Sequence, residues 1–155
     1  MDRRFDCGEA APGVYTAMDA LETYLEGCGL EPVLLHLVKL RASQMNGCAY
    51  CIDMHWKDLR ALGEREQRLY SLDAWRECPY YTERERAALA WAEAVTFVAA
   101  GHVPDAVYDE VREHFDDREL SNLTLLVATI NAWNRLSIAS RLAPGGYVST
   151  LAAVR

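Results

Sequence analysis

The sequence predicts an all-α fold: a single-domain helical bundle of about seven helices. Two observations point to it. Apolar residues recur at three- and four-residue spacing along most of the chain with little of the alternation that strands need, and helix start and stop signals punctuate the periodic stretches. Size is a third, since 155 residues can bury one core without disulfide or metal staples.

Taken in order, residues 1–12 read as an irregular amino-terminal arm ending at Pro12-Gly13. A first helix over about 14–26 carries Val14, Met18, Leu21 and Leu25 and stops at Gly27-Cys28-Gly29. Pro32 suits the first turn of a second helix, whose stripe Val33, Leu34, Leu37, Val38, Leu40 and Met45 runs to Asn46-Gly47. A third helix starts near Cys48 and ends at Gly63, and a shorter helical segment over 64–76 is broken by Cys78-Pro79-Tyr80-Tyr81. Thr82 and Glu85 have capping-box spacing and open a long helix to about Ala100. After the turn Gly101-His102-Val103-Pro104, the residues Val107, Tyr108, Val111 and Phe115 line one face of the next helix. Asp116-Asp117 caps the last long helix, which reaches about Arg141 before Pro144-Gly145-Gly146. The helical domain is thus 13–143, the tail 144–155, with no internal linker.

Charge and cysteine usage narrow the function. A net charge of −7 without a basic stripe repels phosphate backbones and anionic membrane surfaces, so neither nucleic acid nor membrane is an expected partner. The start Met1-Asp2-Arg3-Arg4-Phe5-Asp6 lacks the apolar run of a signal peptide, and no stretch approaches the roughly 20 apolar residues that span a bilayer. A cytoplasmic location is expected. Of five cysteines only Cys48 and Cys51 are close in sequence, which is no secreted disulfide framework. A lone close pair in a reducing compartment points to catalysis or metal binding.

The informative stretch is Asn46-Gly47-Cys48-Ala49-Tyr50-Cys51-Ile52-Asp53-Met54-His55. Thiols three apart lie one helical turn from each other and His55 lies four beyond Cys51, so all three share a face. A helix beginning at Gly47 or Cys48 offers free N–H groups and a positive dipole end that favour thiolate over thiol. His55 is placed to take a proton from Cys51 directly or through one water. A thiolate that attacks a peroxide becomes a sulfenic acid, and a second thiol one turn away condenses with it to a disulfide. A zinc site on Cys48, Cys51 and His55 needs a fourth ligand, for which His36, Cys28 or Cys78 are the candidates, and no second CxxC follows. A purely structural pair of buried cysteines is the other alternative.

The stretch from Leu37 to His55 resembles the core of the alkylhydroperoxidase AhpD-like group within the carboxymuconolactone decarboxylase superfamily, and the likeness extends through 63–69, 82–90 and 130–135. The resemblance implies an all-α fold whose protomers close into homo-oligomeric rings, trimers or hexamers. It also implies peroxide reduction, with a hydroperoxide as substrate and an external dithiol of the lipoyl type as reductant. Carried onto this sequence, Cys51 is the peroxidatic residue, Cys48 donates a proton and then closes the disulfide, and His55 belongs to the proton relay. No metal, flavin or haem cofactor is expected. One position departs from the pattern: where the group carries a glutamate, twelve residues before the first cysteine, this chain has His36. Imidazole also relays protons, with an ordinary pKa near 6.5 rather than about 4.3.

Other polar residues read as structural. His102 sits in a turn and His114 near a helix end. Trp56, Trp75, Trp91 and Trp133 fall at helical positions that suit core or subunit contacts. Asn131, Asn134 and Arg135 put polar groups on an apolar helix and are expected to hold a helix end or a neighbouring subunit. Asp53, two residues from Cys51, is expected on the solvated side. Two alternatives compete with peroxide reduction: a carboxymuconolactone decarboxylase-like lactone-acid enzyme, for which two thiols are superfluous, and a non-catalytic redox-sensing protein that changes partner or assembly on oxidation.

Overall fold

The computed structural model describes residues 2–151, and these form only helices and connecting turns. In chain order they are α1 (Cys7–Ala10), α2 (Pro12–Glu26), α3 (Pro32–Asn46), α4 (Ala49–Ala61), α5 (Glu66–Tyr70), a 3₁₀ helix (Leu72–Glu77), α6 (Glu83–Thr96), α7 (Val98–Gly101), α8 (Asp105–Arg112) and α9 (Asp117–Ser140). No helix among the described residues is long and apolar enough to cross a membrane.

The bundle is organised around α3, which packs on α4, α6 and α9. Its sequence is apolar on several sides, and Leu34, Leu35, Leu37, Val38, Leu40 and Ala42 are all buried. Two cores result. Leu34, Leu35 and Val38 meet Leu25 of α2, Ala88 of α6, Val111 of α8 and Leu123, Leu126 and Val127 of α9. Leu37 and Leu40 meet Leu59 of α4, Leu69 and Leu72, Trp75 and Leu89. Each fully buried aliphatic side chain contributes about 2 kcal/mol. A third, smaller patch joins Ala42, Cys48, Cys51 and Ile130, and it brings the thiol pair into the interior.

The helix ends follow local chemistry. Thr82 accepts from the Glu85 N–H while Glu85 accepts from the Thr82 N–H, and Asp116 and Glu119 form the same reciprocal pair at the start of α9.

The structure corrects the expected count of about seven helices to ten among the described residues, for three local reasons. The arm is not wholly irregular: Asp6 accepts from the Gly8 and Glu9 N–H groups and nucleates one turn, and α2 starts at Pro12. The segment 64–76 splits at Ser71, because Leu69, Leu72 and Trp75 are buried at a spacing of three, the period of the 3₁₀ helix. The helix expected to reach Ala100 ends at Thr96, where Phe97 leaves the helical region at φ −99°, ψ 29°. Val95, Thr96 and Val98 are β-branched, and Phe97 and Val98 stay exposed, so no burial rewards continued helix there. Residue 1 of the expected arm and residues 152–155 of the expected tail lie outside the described residues.

Candidate active site

A helix stop sets up the thiol pair. Gly47 adopts φ 68°, ψ 32°, a left-handed conformation that a β-carbon disfavours. Its N–H donates to the Gln44 carbonyl at 3.1 Å and the Cys48 N–H donates to the Ser43 carbonyl at 3.0 Å, which closes α3. Cys48 at once becomes the N-cap residue of α4, and its carbonyl accepts from the Ile52 N–H at 2.9 Å. Cys51 follows in the first turn. The two Sγ atoms lie 2.6 Å apart and both cysteines are free.

Helix α9 holds this turn from behind. Asn46 Nδ2 donates to the Asn131 and Asn134 side-chain oxygens at 3.0 and 2.9 Å, and Asn134 Nδ2 donates to Ser43 Oγ at 3.0 Å. Asn131 and Asn134 thus secure the end of α3 that leads into the turn bearing the thiols, while Arg135 bonds back to Asn131 within α9. Burying these amides is tolerable because they satisfy one another.

Helices α2, α3, α4 and α9 and the segment after α9 enclose a cavity of about 730 Å³. Cys51, His36, His55, Asp58, Trp133 and Tyr147 all line it. Cys48 lies behind, against Ala42 and Ile130, and is 1% exposed. Access and acidity are therefore divided between the sulfurs. The hydrogen bond from the Cys51 thiol brings Cys48 down from 9.0 to about 7; burial opposes this, and the Cys51 N–H, Ser137 and Asn134 assist. Cys51 moves the other way, because it gives that hydrogen bond, is buried, and faces the Cys48 charge. The pair loses one proton near neutral pH, and the charge rests on Cys48.

The two histidines meet on the lining of the cavity that Cys51 also lines. His36 Nδ1 lies 3.3 Å from His55 Nδ1, and each lies 3.6 Å from Asp58 Oδ2. Asp58 is 1% exposed and its other oxygen, Oδ1, accepts from the Tyr147 hydroxyl at 2.8 Å and the Ser149 hydroxyl at 2.7 Å. Burial would raise this carboxyl, but His55, Ser149 and Tyr147 outweigh it and hold Asp58 at about 2. Burial drives His36 down to about 3, with the neighbouring His55 and Lys39 charges adding to the effect. His55 is lowered as well, again chiefly by burial, with Asp58 opposing. At neutral pH the cluster is two neutral imidazoles and one carboxylate. Its three ligand atoms lie within 4.8 Å of one another, close enough to hold a metal ion.

Asp58, Tyr147 and Ser149 escaped sequence reasoning. Asp58 had a signal, since it stands three residues after His55 on the same helical face. The other two lie in an aperiodic tail that spacing rules do not describe. There Lys57 Nζ donates to the Gly145 and Tyr147 carbonyls and to Asp53, and Asp53 accepts from the Gly145 N–H, so Asp53 anchors the tail and does not enter the cavity.

The remaining candidates lie elsewhere. Cys28 packs in the core beside Leu25 and Leu30, and Cys78 faces the Ser71 carbonyl, so neither joins the thiols as a zinc ligand. His102 holds a turn with φ 55°, and His114 offers its carbonyl to Arg84. Trp75 and Trp91 are core residues, whereas Trp133 forms cavity wall, with its Nε1 donating to Glu22 at 3.0 Å and its ring 5.6 Å from Tyr15.

Residues 12–94 match the model of the carboxymuconolactone decarboxylase family. The uncharacterized protein YdfG of Bacillus subtilis is 45% identical over 139 residues, covering 90% of this chain and 95% of that protein. The uncharacterized protein YnjA of Escherichia coli is 33% identical over 110 residues, 71% of this chain and 60% of that protein. The crystal structure of a protein of unknown function from Agrobacterium tumefaciens, proposed as the antioxidant defence protein AhpD, superposes with a TM-score of 0.91 at 42% identity, covering 94% of this chain and all of that one. With the family's region spanning the thiol pair and the helical frame shared along nearly the whole chain, this protein belongs to the carboxymuconolactone decarboxylase family and has an AhpD-like fold.

Proposed function

We propose that the protein is a thiol-dependent peroxidase that reduces a hydroperoxide with Cys51 and Cys48 and is recycled by an external dithiol. The observation that carries this reading is the pair itself: two free sulfurs 2.6 Å apart, one on the wall of a cavity and the other behind it. Cys51 is the attacking sulfur because it has access, and Cys48 is the partner because its thiolate accepts the Cys51 proton. The Cys51 thiolate then attacks the O–O bond, the distal oxygen stays on sulfur as a sulfenic acid, and the leaving alkoxide takes the proton held on Cys48 to become an alcohol. The Cys48 thiolate so regenerated attacks the sulfenic sulfur, the S–O bond breaks as the disulfide forms, and the hydroxide leaves as water with a proton taken from solvent. An incoming dithiol reduces that disulfide by two exchange steps and leaves as a disulfide. Neutral His55, with His36 beyond it, supplies a proton path in and out of the cavity. The proposal includes a closed homo-oligomer, which light scattering measures, and a cytoplasmic site of action.

The test is peroxide-dependent oxidation of dihydrolipoamide by the purified protein. Wild type is expected to turn over, Cys51→Ser to lose turnover entirely, and Cys48→Ser to stop after one equivalent of peroxide with a sulfenic acid on Cys51. Persistent turnover in Cys51→Ser overturns the assignment. His36→Glu reports on the relay through a shifted pH profile. Oxidation that alters assembly in the absence of turnover supports the redox-sensing alternative.

A further inference from the structure

We propose that His36, His55 and Asp58 form a divalent transition-metal site of the zinc type, with its open position on the cavity. The three atoms that converge there, two imidazole Nδ1 and one carboxylate Oδ2, are separated by 3.3, 3.6 and 3.6 Å. A tetrahedral ion with bonds of about 2.1 Å sets its ligands about 3.4 Å apart, whereas octahedral neighbours at the same bond length are about 3.0 Å apart. The point equidistant from these three atoms lies about 2.0 Å from each, so an ion slightly above their plane reaches all three at zinc-like distances without rearrangement. Ring placement agrees. Two imidazoles bound through Nδ1 to one tetrahedral ion have centroids about 5.2 Å apart, and those of His36 and His55 are 5.4 Å apart.

The surroundings meet two further requirements. Oδ2 is the ligand oxygen because Oδ1 is engaged by Tyr147 and Ser149, and such hydroxyl donors orient a ligating carboxylate from outside the coordination shell. The 3.6 Å from Oδ2 to either Nδ1 is longer than an ordinary hydrogen bond. All three side chains line the 730 Å³ cavity, so the fourth position of the ion faces the space where Cys51 also lies. Three protein ligands with an open fourth place is the pattern of reactive rather than closed structural zinc sites. The ligand set differs from the thiol-based one that the sequence alone suggests, and the two sites are separable.

The site stands on geometry and not on peroxide reduction, although it uses the relay's imidazoles: an ion on Nδ1 takes the lone pair that would accept a proton. The test uses Zn²⁺ alone, titrated by calorimetry into Cys48→Ser/Cys51→Ser protein, in which no thiolate at positions 48 or 51 competes. One ion per chain is expected to bind. His36→Ala and Asp58→Asn, each added to that background and checked for a native helical signal and melting, are expected to weaken binding at least tenfold. Co²⁺ in place of Zn²⁺ is expected to show four-coordinate visible bands without thiolate charge transfer. No binding to the double variant, or affinity unchanged in folded His36→Ala protein, overturns the proposal and leaves the cluster a hydrogen-bonded relay. Failure of the peroxidase reading is seen separately, as absent turnover in metal-free wild type.

Discussion

Replacing Cys51 with alanine removes the S–H that holds the negative charge on Cys48, and the consequence can be worked from the site. Cys48 stands at about 7 against an ordinary 9.0, and the Cys51 hydrogen bond is the largest cause. Two pKa units correspond to about a hundredfold preference for the thiolate. At pH 7 a thiol with that midpoint is about half ionised, whereas one restored to 9.0 is about 1% ionised. The Ser137, Asn134 and Cys51 N–H contacts remain in the variant, so the expected rise is at least one unit and the ionised fraction at pH 7 falls to about a tenth or less. Cysteine labelled with ¹³C at Cβ reports each thiol's titration separately by NMR, which keeps Cys7, Cys28 and Cys78 out of the measurement. Cys51→Ser keeps an O–H donor at the same place and is expected to shift Cys48 less than alanine does. A Cys48 midpoint that stays near 7 in Cys51→Ala refutes the reasoning and assigns the acidity to the helix start alone.

Three other outcomes follow from the same geometry. His36 stands at about 3 against an ordinary 6.5, so between those values the unfolded chain binds a proton that the folded one refuses. Its stabilising effect is complete above pH 6.5 and declines by about 1.4 kcal/mol per unit as pH falls toward 3; urea unfolding at several pH values is expected to show a shallower slope in His36→Gln. Asn134→Ala strands Asn46 and Ser43 in the interior and is expected to cost about 1–3 kcal/mol in the same assay. Tyr147→Phe removes one of the two hydroxyls on Asp58 and is expected to speed proteolysis within 144–151 without unfolding the bundle.

The long elements were legible because each is written locally. Pro32 and Asn46-Gly47 bound α3 at both ends, and the reciprocal pairs at Thr82 and Asp116 open α6 and α9 where their spacing says they should. The misjudged elements are those decided by what lies beside them. The 3₁₀ geometry of Leu72–Glu77 follows from the core that receives Leu72 and Trp75, and α6 stops where no core receives Phe97. For the site, helical spacing placed Cys48, Cys51 and His55 together, whereas only Cys51 and His55 line the cavity, and spacing could not rank the thiols. That ranking depends on which sulfur meets the cavity and which meets the Cys51 N–H.

What the sequence by itself determined was the helical class, most helix ends and the adjacency of Cys48 and Cys51, because these depend on interactions within one or two turns of the chain. Tertiary structure alone decided that His36 of α3 meets His55 and Asp58 of α4, that Asn134 of α9 braces the turn bearing the thiols, and that Tyr147 and Ser149 fold back onto Asp58. Those contacts join residues 19 to 91 positions apart. Their partners are chosen by the packing of whole helices, and local periodicity carries no record of that choice.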